Sequence, residues 1–135
     1  NEMKKIKGYI FSRPFFKERA PQHIQNIIIR DFCKNNNLHY SLSAVEFAME
    51  ESFKTLNEII NNMNNLDGIV AYSLFQLPVN DEARKKIVNK IINKNKTIYF
   101  ALEDLKISNS NDFQKIENIW LIKKALPRCL KEYNI

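Results

Sequence analysis

The feature that most restricts the fold is an alternation of four short apolar runs, each followed by a segment with helical spacing. A parallel strand covered on both faces has no solvent side, so it reads as a continuous apolar run. A helix lying over it reads as apolar residues three and four positions apart. Lys5 to Phe11, Leu38 to Glu46, Gly68 to Leu74 and Thr97 to Leu102 fit the first pattern. Helices are expected over Pro21 to Asn35, Glu51 to Met63, Glu82 to Asn93 and Asn109 to Leu126. Pro14 closes the first strand because it cannot donate to a ladder. Pro21 suits a first helical turn, Asn80 and Asn109 are side-chain caps, and Pro127 bends or ends the last helix.

Strands alternating with helices of this length imply parallel pairing through right-handed crossovers. The expected class is α/β: three layers, with a four-stranded, mainly parallel sheet and helices on both faces. The 135 residues read as one domain, with no internal repeat and no linker. Asn1 is not an initiator and Met3 is the more natural start, so residues 1–3 read as a remnant or a disordered start.

The formal charge is +6, from sixteen lysines and five arginines against fifteen acidic residues. Base readout favours arginine and interleaved aromatics. Scattered helical lysines instead read as a solvated face, which argues against nucleic acid as a partner. No apolar segment is long enough to span a membrane or serve as a leader, so a cytoplasmic protein is expected. Cys33 and Cys129 read as free thiols in a reducing compartment. His23 and His39 stand alone, so no metal site is expected. The glycine-rich dinucleotide and phosphate-loop motifs are absent, and no cofactor is expected.

In an open α/β sheet the ligand crevice lies beyond the carboxyl ends of the strands. This rule gathers Ser12 and Arg13 from the first strand, Glu46 from the second, Tyr72, Ser73 and Gln76 from the third, and Glu103 and Asp104 from the fourth. Arg19, His23 and Gln25 adjoin them at the start of the first helix. Ser12 is either a turn cap or a nucleophile, which would need a base. Glu46 and Glu103 are either loop carboxylates or, facing each other, an acid–base pair. Arg13, Arg19 and His23, with the helix amides, would hold an anion. Tyr72, Ser73, Gln25 and Gln76 would line the substrate.

Two resemblances arise at these residues. Gly-Tyr-Ile-Phe-Ser-Arg-Pro-Phe (8–15), Pro-Gln-His-Ile-Gln-Asn (21–26), Leu-His-Tyr-Ser-Leu-Ser-Ala (38–44), Asp-Gly-Ile-Val-Ala-Tyr-Ser-Leu-Phe-Gln-Leu-Pro (67–78), Phe-Ala-Leu-Glu (100–103) and Ile-Trp-Leu (119–121) resemble the sporadic carbohydrate cluster family. That resemblance implies a bacterial surface-polysaccharide protein, for lipopolysaccharide O-antigen or capsule. Its substrate would be an anionic nucleotide- or phospho-sugar. The alternative within the same pathway is a non-catalytic accessory subunit that docks through the last helix and Trp120, although Trp120 also fits the core.

More distantly, the element order is similar to the catalytic domain of serine resolvases and invertases, a resemblance that implies a resolvase-like or flavodoxin-like sheet in strand order 2-1-3-4. Ser12 falls at that family's nucleophile position, Gln25 at a helix glutamine, and Leu74 to Pro78 at a third-strand segment. The arginines of that pattern fall at Ile10, Gln76 and Val79, which implies a shared fold without recombination chemistry. A resolvase-like protein acting on DNA is the second alternative. Apolar surface on the long last helix suggests a homodimer.

Overall fold

The computed structural model describes residues 3–15, 20–49 and 52–132, with side chains as far as 126. β1 (Lys4–Phe11) lies inside the sheet, and Ile6 and Tyr9 to Phe11 are buried. It is followed by α1 (Gln22–Asn35), β2 (Leu38–Glu46), α2 (Lys54–Asn61), β3 (Gly68–Ala71) and a 3-10 turn (Leu74–Gln76). Then come α3 (Asp81–Asn93), β4 (Thr97–Phe100), β5 (Leu105–Ile107) and α4 (Ser110–Glu132).

The strand order is β2-β1-β3-β4-β5. β1 pairs in parallel with β2 and β3, and β3 with β4. The α/β class is therefore as the alternation implies, and the 2-1-3-4 order as the resolvase resemblance implies. Right-handed crossovers put α1 on one face and α2 and α3 on the other, because β2 lies to one side of β1 and β3 and β4 to the other.

The expected four strands and the expected end of the last helix near Leu126 are corrected. The sheet has a fifth strand, antiparallel to β4. Leu-Lys-Ile is too short to show a period, and the strand forms because the chain doubles back at Asp104, which takes φ 56°. Aspartate tolerates this left-handed region better than most residues. Of the two readings of Pro127, bending or ending the helix, the second is excluded, because α4 continues to Glu132. One proline removes one backbone bond, and a helix can bend past it.

β1 and β2 slip register between Lys7 and Gly8, which leaves Leu42 as an extra, exposed residue. Gly8 lies beside this irregularity, where a Cβ would overlap Ser43 Oγ and the Tyr40 ring. Asn80 and Asn109 cap as expected: Asn80 Oδ1 accepts from Ala83 N at 2.9 Å, and Asn109 Oδ1 from Asp112 N at 2.9 Å.

Trp120 is fully buried, which removes it from any docking face. Buried Arg84 holds α3 against α4 beneath it. Its Nε donates to Glu117 Oε2 at 2.6 Å, and its Nη2 to Glu117 Oε1 at 3.0 Å and Asp81 Oδ1 at 2.6 Å. Nη1 donates to the Pro78 and Val79 carbonyls, each at 3.0 Å. The guanidinium stacks 4.3 Å from the Trp120 ring. Every donor of a planar five-donor group is thus matched, which is the condition for burying a charge. Leu121, Ile122 and Leu126 remain exposed on α4. No helix among the described residues is long and apolar enough to cross a membrane.

Candidate functional site at the carboxyl edge of the sheet

Parallel pairing brings the ends of β1 to β4 to one rim, and the polar residues expected there divide into two hydrogen-bonded groups. The first surrounds Glu46, which is buried at the end of β2. Its carboxylate accepts from Tyr9 Oη at 2.8 Å, Phe47 N at 3.1 Å, Thr55 N at 3.0 Å and Leu56 N at 3.2 Å. Thr55 and Leu56 lie in the first turn of α2, whose own N-cap, Phe53, makes no side-chain bond. Glu46 therefore caps a helix from a neighbouring strand, where a negative charge is favoured. The Tyr9 phenol is held above its ordinary range, by burial first and by Glu46 second.

Ser12 and Arg13 turn toward the same group. Ser12 Oγ donates to the Glu46 carbonyl at 3.0 Å. Arg13 donates to the Phe47 carbonyl at 2.6 Å and the Ser52 carbonyl at 2.8 Å, and lies 4.2 Å from the Phe11 ring centroid. It fastens the loop after β2 to the end of β1.

The second group runs through the middle of the rim. Gln25, buried on α1, accepts from Phe11 N at 3.0 Å and donates to Phe11 O at 2.9 Å and Ala20 O at 2.8 Å. Gln76 Nε2 donates to Gln25 Oε1 at 2.8 Å, while Gln76 Oε1 accepts from Tyr72 N and Ser73 N. Glu103 accepts from Ser73 Oγ at 2.7 Å and Leu74 N at 2.9 Å. The ends of β1, β3 and β4 are thereby joined through side chains. An interior amide is tolerated because its donors and acceptor are matched.

The two carboxylates of the expected acid–base pair thus have different partners: Glu46 binds Tyr9 and the α2 amides, and Glu103 binds Ser73 and Leu74. Tyr72 is buried, with its ring edge-on to Phe15. His23 is exposed on the first turn of α1. Arg19 lies outside the described residues. Tyr9, Ser52 and Thr55 belong to the Glu46 group but were not expected there. Their only signal is position, which is visible once β1, β2 and α2 are packed together.

A cavity of about 320 Å³ opens between the end of β1 and the start of α1. Phe11, Ser12, Arg13, Ala20, Pro21 and Gln22 line it. Among the described residues the α1 N-terminus beside it has no side-chain cap, and its first turn has no acidic residue. Such an end carries unmatched N–H donors and the positive pole of the helix dipole.

Two solved structures share this architecture over nearly the whole chain. One is the N-terminal catalytic domain of TP901-1 integrase, with a TM-score of 0.60 and 15% identity, covering 96% of this chain and 99% of that one. The other is a resolvase family site-specific recombinase from Streptococcus pneumoniae, with a TM-score of 0.60 and 11% identity, covering 96% and 95%. The fold is resolvase-like. No protein-family model and no curated protein matches the sequence.

The surface-polysaccharide expectation is corrected by these likenesses, because the structures that share the fold are integrase and recombinase domains. The anionic-sugar partner, the pathway-subunit alternative and the argument against nucleic acid fall with it. None of the comparisons carries the carbohydrate-cluster likeness. The strings behind it come largely from buried strands and their exits, such as β3 and the turn after it. Burial and chain reversal select those residue types in many parallel sheets.

Proposed function

We propose that this resolvase-fold protein acts on DNA, holding backbone phosphate at the carboxyl edge beside Ser12. The observation that carries this reading is the α1 N-terminus, uncapped among the described residues, opening into the cavity that Ser12 lines. Main-chain N–H groups at a helix start bind phosphate oxygens without needing a motif. The net charge of +6 raises the local concentration of a polyanion.

The role assigned to Ser12 is contact, not strand transfer. Its hydroxyl proton is directed to the Glu46 carbonyl, and a carbonyl is no base. Arg13 is committed to two carbonyls and an aromatic ring, and Ile10 and Gln76 stand where the resolvase pattern has arginines. Phosphoryl transfer needs cations at the developing charge, and these positions supply none.

Fluorescence anisotropy with labelled duplex DNA at increasing salt tests the reading. The logarithm of affinity should fall linearly with the logarithm of salt, with a slope near −0.9 per phosphate contacted. Gln22→Glu, which puts a carboxylate at the helix start, should weaken binding severalfold. A flat titration at low salt refutes DNA binding. A covalent protein–DNA adduct on a denaturing gel refutes the contact-only role of Ser12.

A further inference from the structure

The sheet ends in two unlike edges. β5 forms one of them with three residues, and its middle residue is the exposed Lys106. A very short strand and a lysine are two of the devices that keep an edge from pairing with another chain. β2 forms the other edge and has neither. It runs for nine residues, against about five or six in an ordinary strand. It holds no lysine, arginine or proline.

Only the terminal residues of β2, Leu38 and Glu46, are buried. Leu42 is 78% exposed and Val45 41% exposed, and Phe47 and Met49, which follow the strand, are exposed as well. A bulge also blunts an edge, yet here its extra residue is a leucine in solvent. The outer main-chain groups of an edge strand are a row of donors and acceptors, so the partner they fit is another extended strand. Thr55 Oγ1 donates to the Val45 carbonyl at 3.2 Å. From His39 to Ala44, no main-chain group is bonded outside the ladder with β1 among the described residues.

Charge selects the strand that comes. Two copies of a chain carrying +6 repel wherever their lysines face each other. Neither lysine nor arginine occurs between Leu38 and Phe53, so β2 brings no cation to its own edge. Cations beside it stand on other elements: Arg30 of α1, 6.0 Å from the Tyr40 ring, and Lys5 and Lys7 of β1, in register with His39 and Ser41. The edge is thus a place where two equally charged copies can meet, while a polyanion finds no cation on the strand. Two copies of one strand, antiparallel about a two-fold axis, also offer each other the same donors and acceptors.

We propose that β2 pairs with β2 of a second copy, antiparallel about a two-fold axis near Leu42. The pairing joins two five-stranded sheets into one and covers Leu42. The contact lies at the sheet edge, not on the apolar residues of α4.

Sedimentation equilibrium of the full chain from micromolar to millimolar concentration, with amide hydrogen exchange at both ends of that range, tests the pairing. A monomer–dimer equilibrium is expected. Exchange over β2 should slow severalfold as the dimer fills, and exchange over β5 should stay unchanged. Leu42→Lys sets two ammonium groups against each other across the axis and should raise the dissociation constant about tenfold. Because Leu42 is exposed, the variant's urea midpoint should match the parent's. A chain that stays monomeric to millimolar concentration overturns the proposal. So does a dimer whose β2 amides exchange as in the monomer, or one as tight in Leu42→Lys as in the parent. Anisotropy with duplex DNA enters none of these outcomes, so edge pairing and DNA contact at the rim fail separately.

Discussion

Replacing Glu46 by glutamine should cost stability rather than remove a catalytic group. The carboxylate is buried and accepts from Tyr9 Oη, Phe47 N, Thr55 N and Leu56 N at 2.8 to 3.2 Å. Glutamine keeps the shape but offers one acceptor oxygen, and it turns an NH2 toward groups that are themselves donors. Each buried donor left unmatched costs about 1–3 kcal/mol, and loss of a helix cap about 1 kcal/mol. The contributions share one group and do not add fully, so the expected loss is about 3 kcal/mol.

For a chain of this size that loss lowers Tm by roughly 10 °C. Urea unfolding should show a lower midpoint at unchanged slope, since the surface exposed is the same. A double-mutant cycle with Tyr9→Phe should give a coupling of about 1 kcal/mol, because Glu46 is the phenol's partner. If Glu46→Gln unfolds within about 0.5 kcal/mol of the parent, the capping argument is wrong. A carboxylate serving only as an acid or base toward solvent would leave the melting curve unmoved.

Two further outcomes follow from the same structure. Gln25→Leu removes the amide that bonds both backbone groups of Phe11 and meets Gln76; it should destabilise by about 2–4 kcal/mol, read by urea midpoint, and a change under about 1 kcal/mol would refute the relay. Asp81 is held below the usual carboxylate range by its bonds to Lys124 first and Arg84 second. Its folded-state pKa lies under the unfolded one, so its contribution is present above about pH 4 and disappears as pH falls through the folded value. Asp81→Asn should therefore lower the urea midpoint at pH 7 more than at pH 3, and an equal effect at both would refute the assignment.

Much of the architecture was legible in the sequence alone. Continuous apolar runs such as Ile69 to Ala71 announce strands covered on both faces, and helical spacing between them forces parallel pairing. Strand period and helix period are local properties, so a single chain displays them. The rim residues were likewise found from strand ends alone. β5 was not, because three residues carry no period and its existence depends on a reversal at Asp104.

What the rim residues do was decided only by packing. In the sequence Glu46 reads either as a loop carboxylate or as half of an acid–base pair, and it becomes a cap once Tyr9 and the first turn of α2 are brought to it. Gln25 and Gln76 lie fifty-one positions apart and meet in the interior. Arg84 reads as one helical cation among many, and burial under Trp120 makes it the tie between α3 and α4. Hydrophobic period depends on neighbours along the chain, whereas the partner of a buried polar group depends on neighbours in space. The sequence by itself therefore determined the class and order of this fold, and tertiary structure alone decided which of its polar residues hold it together.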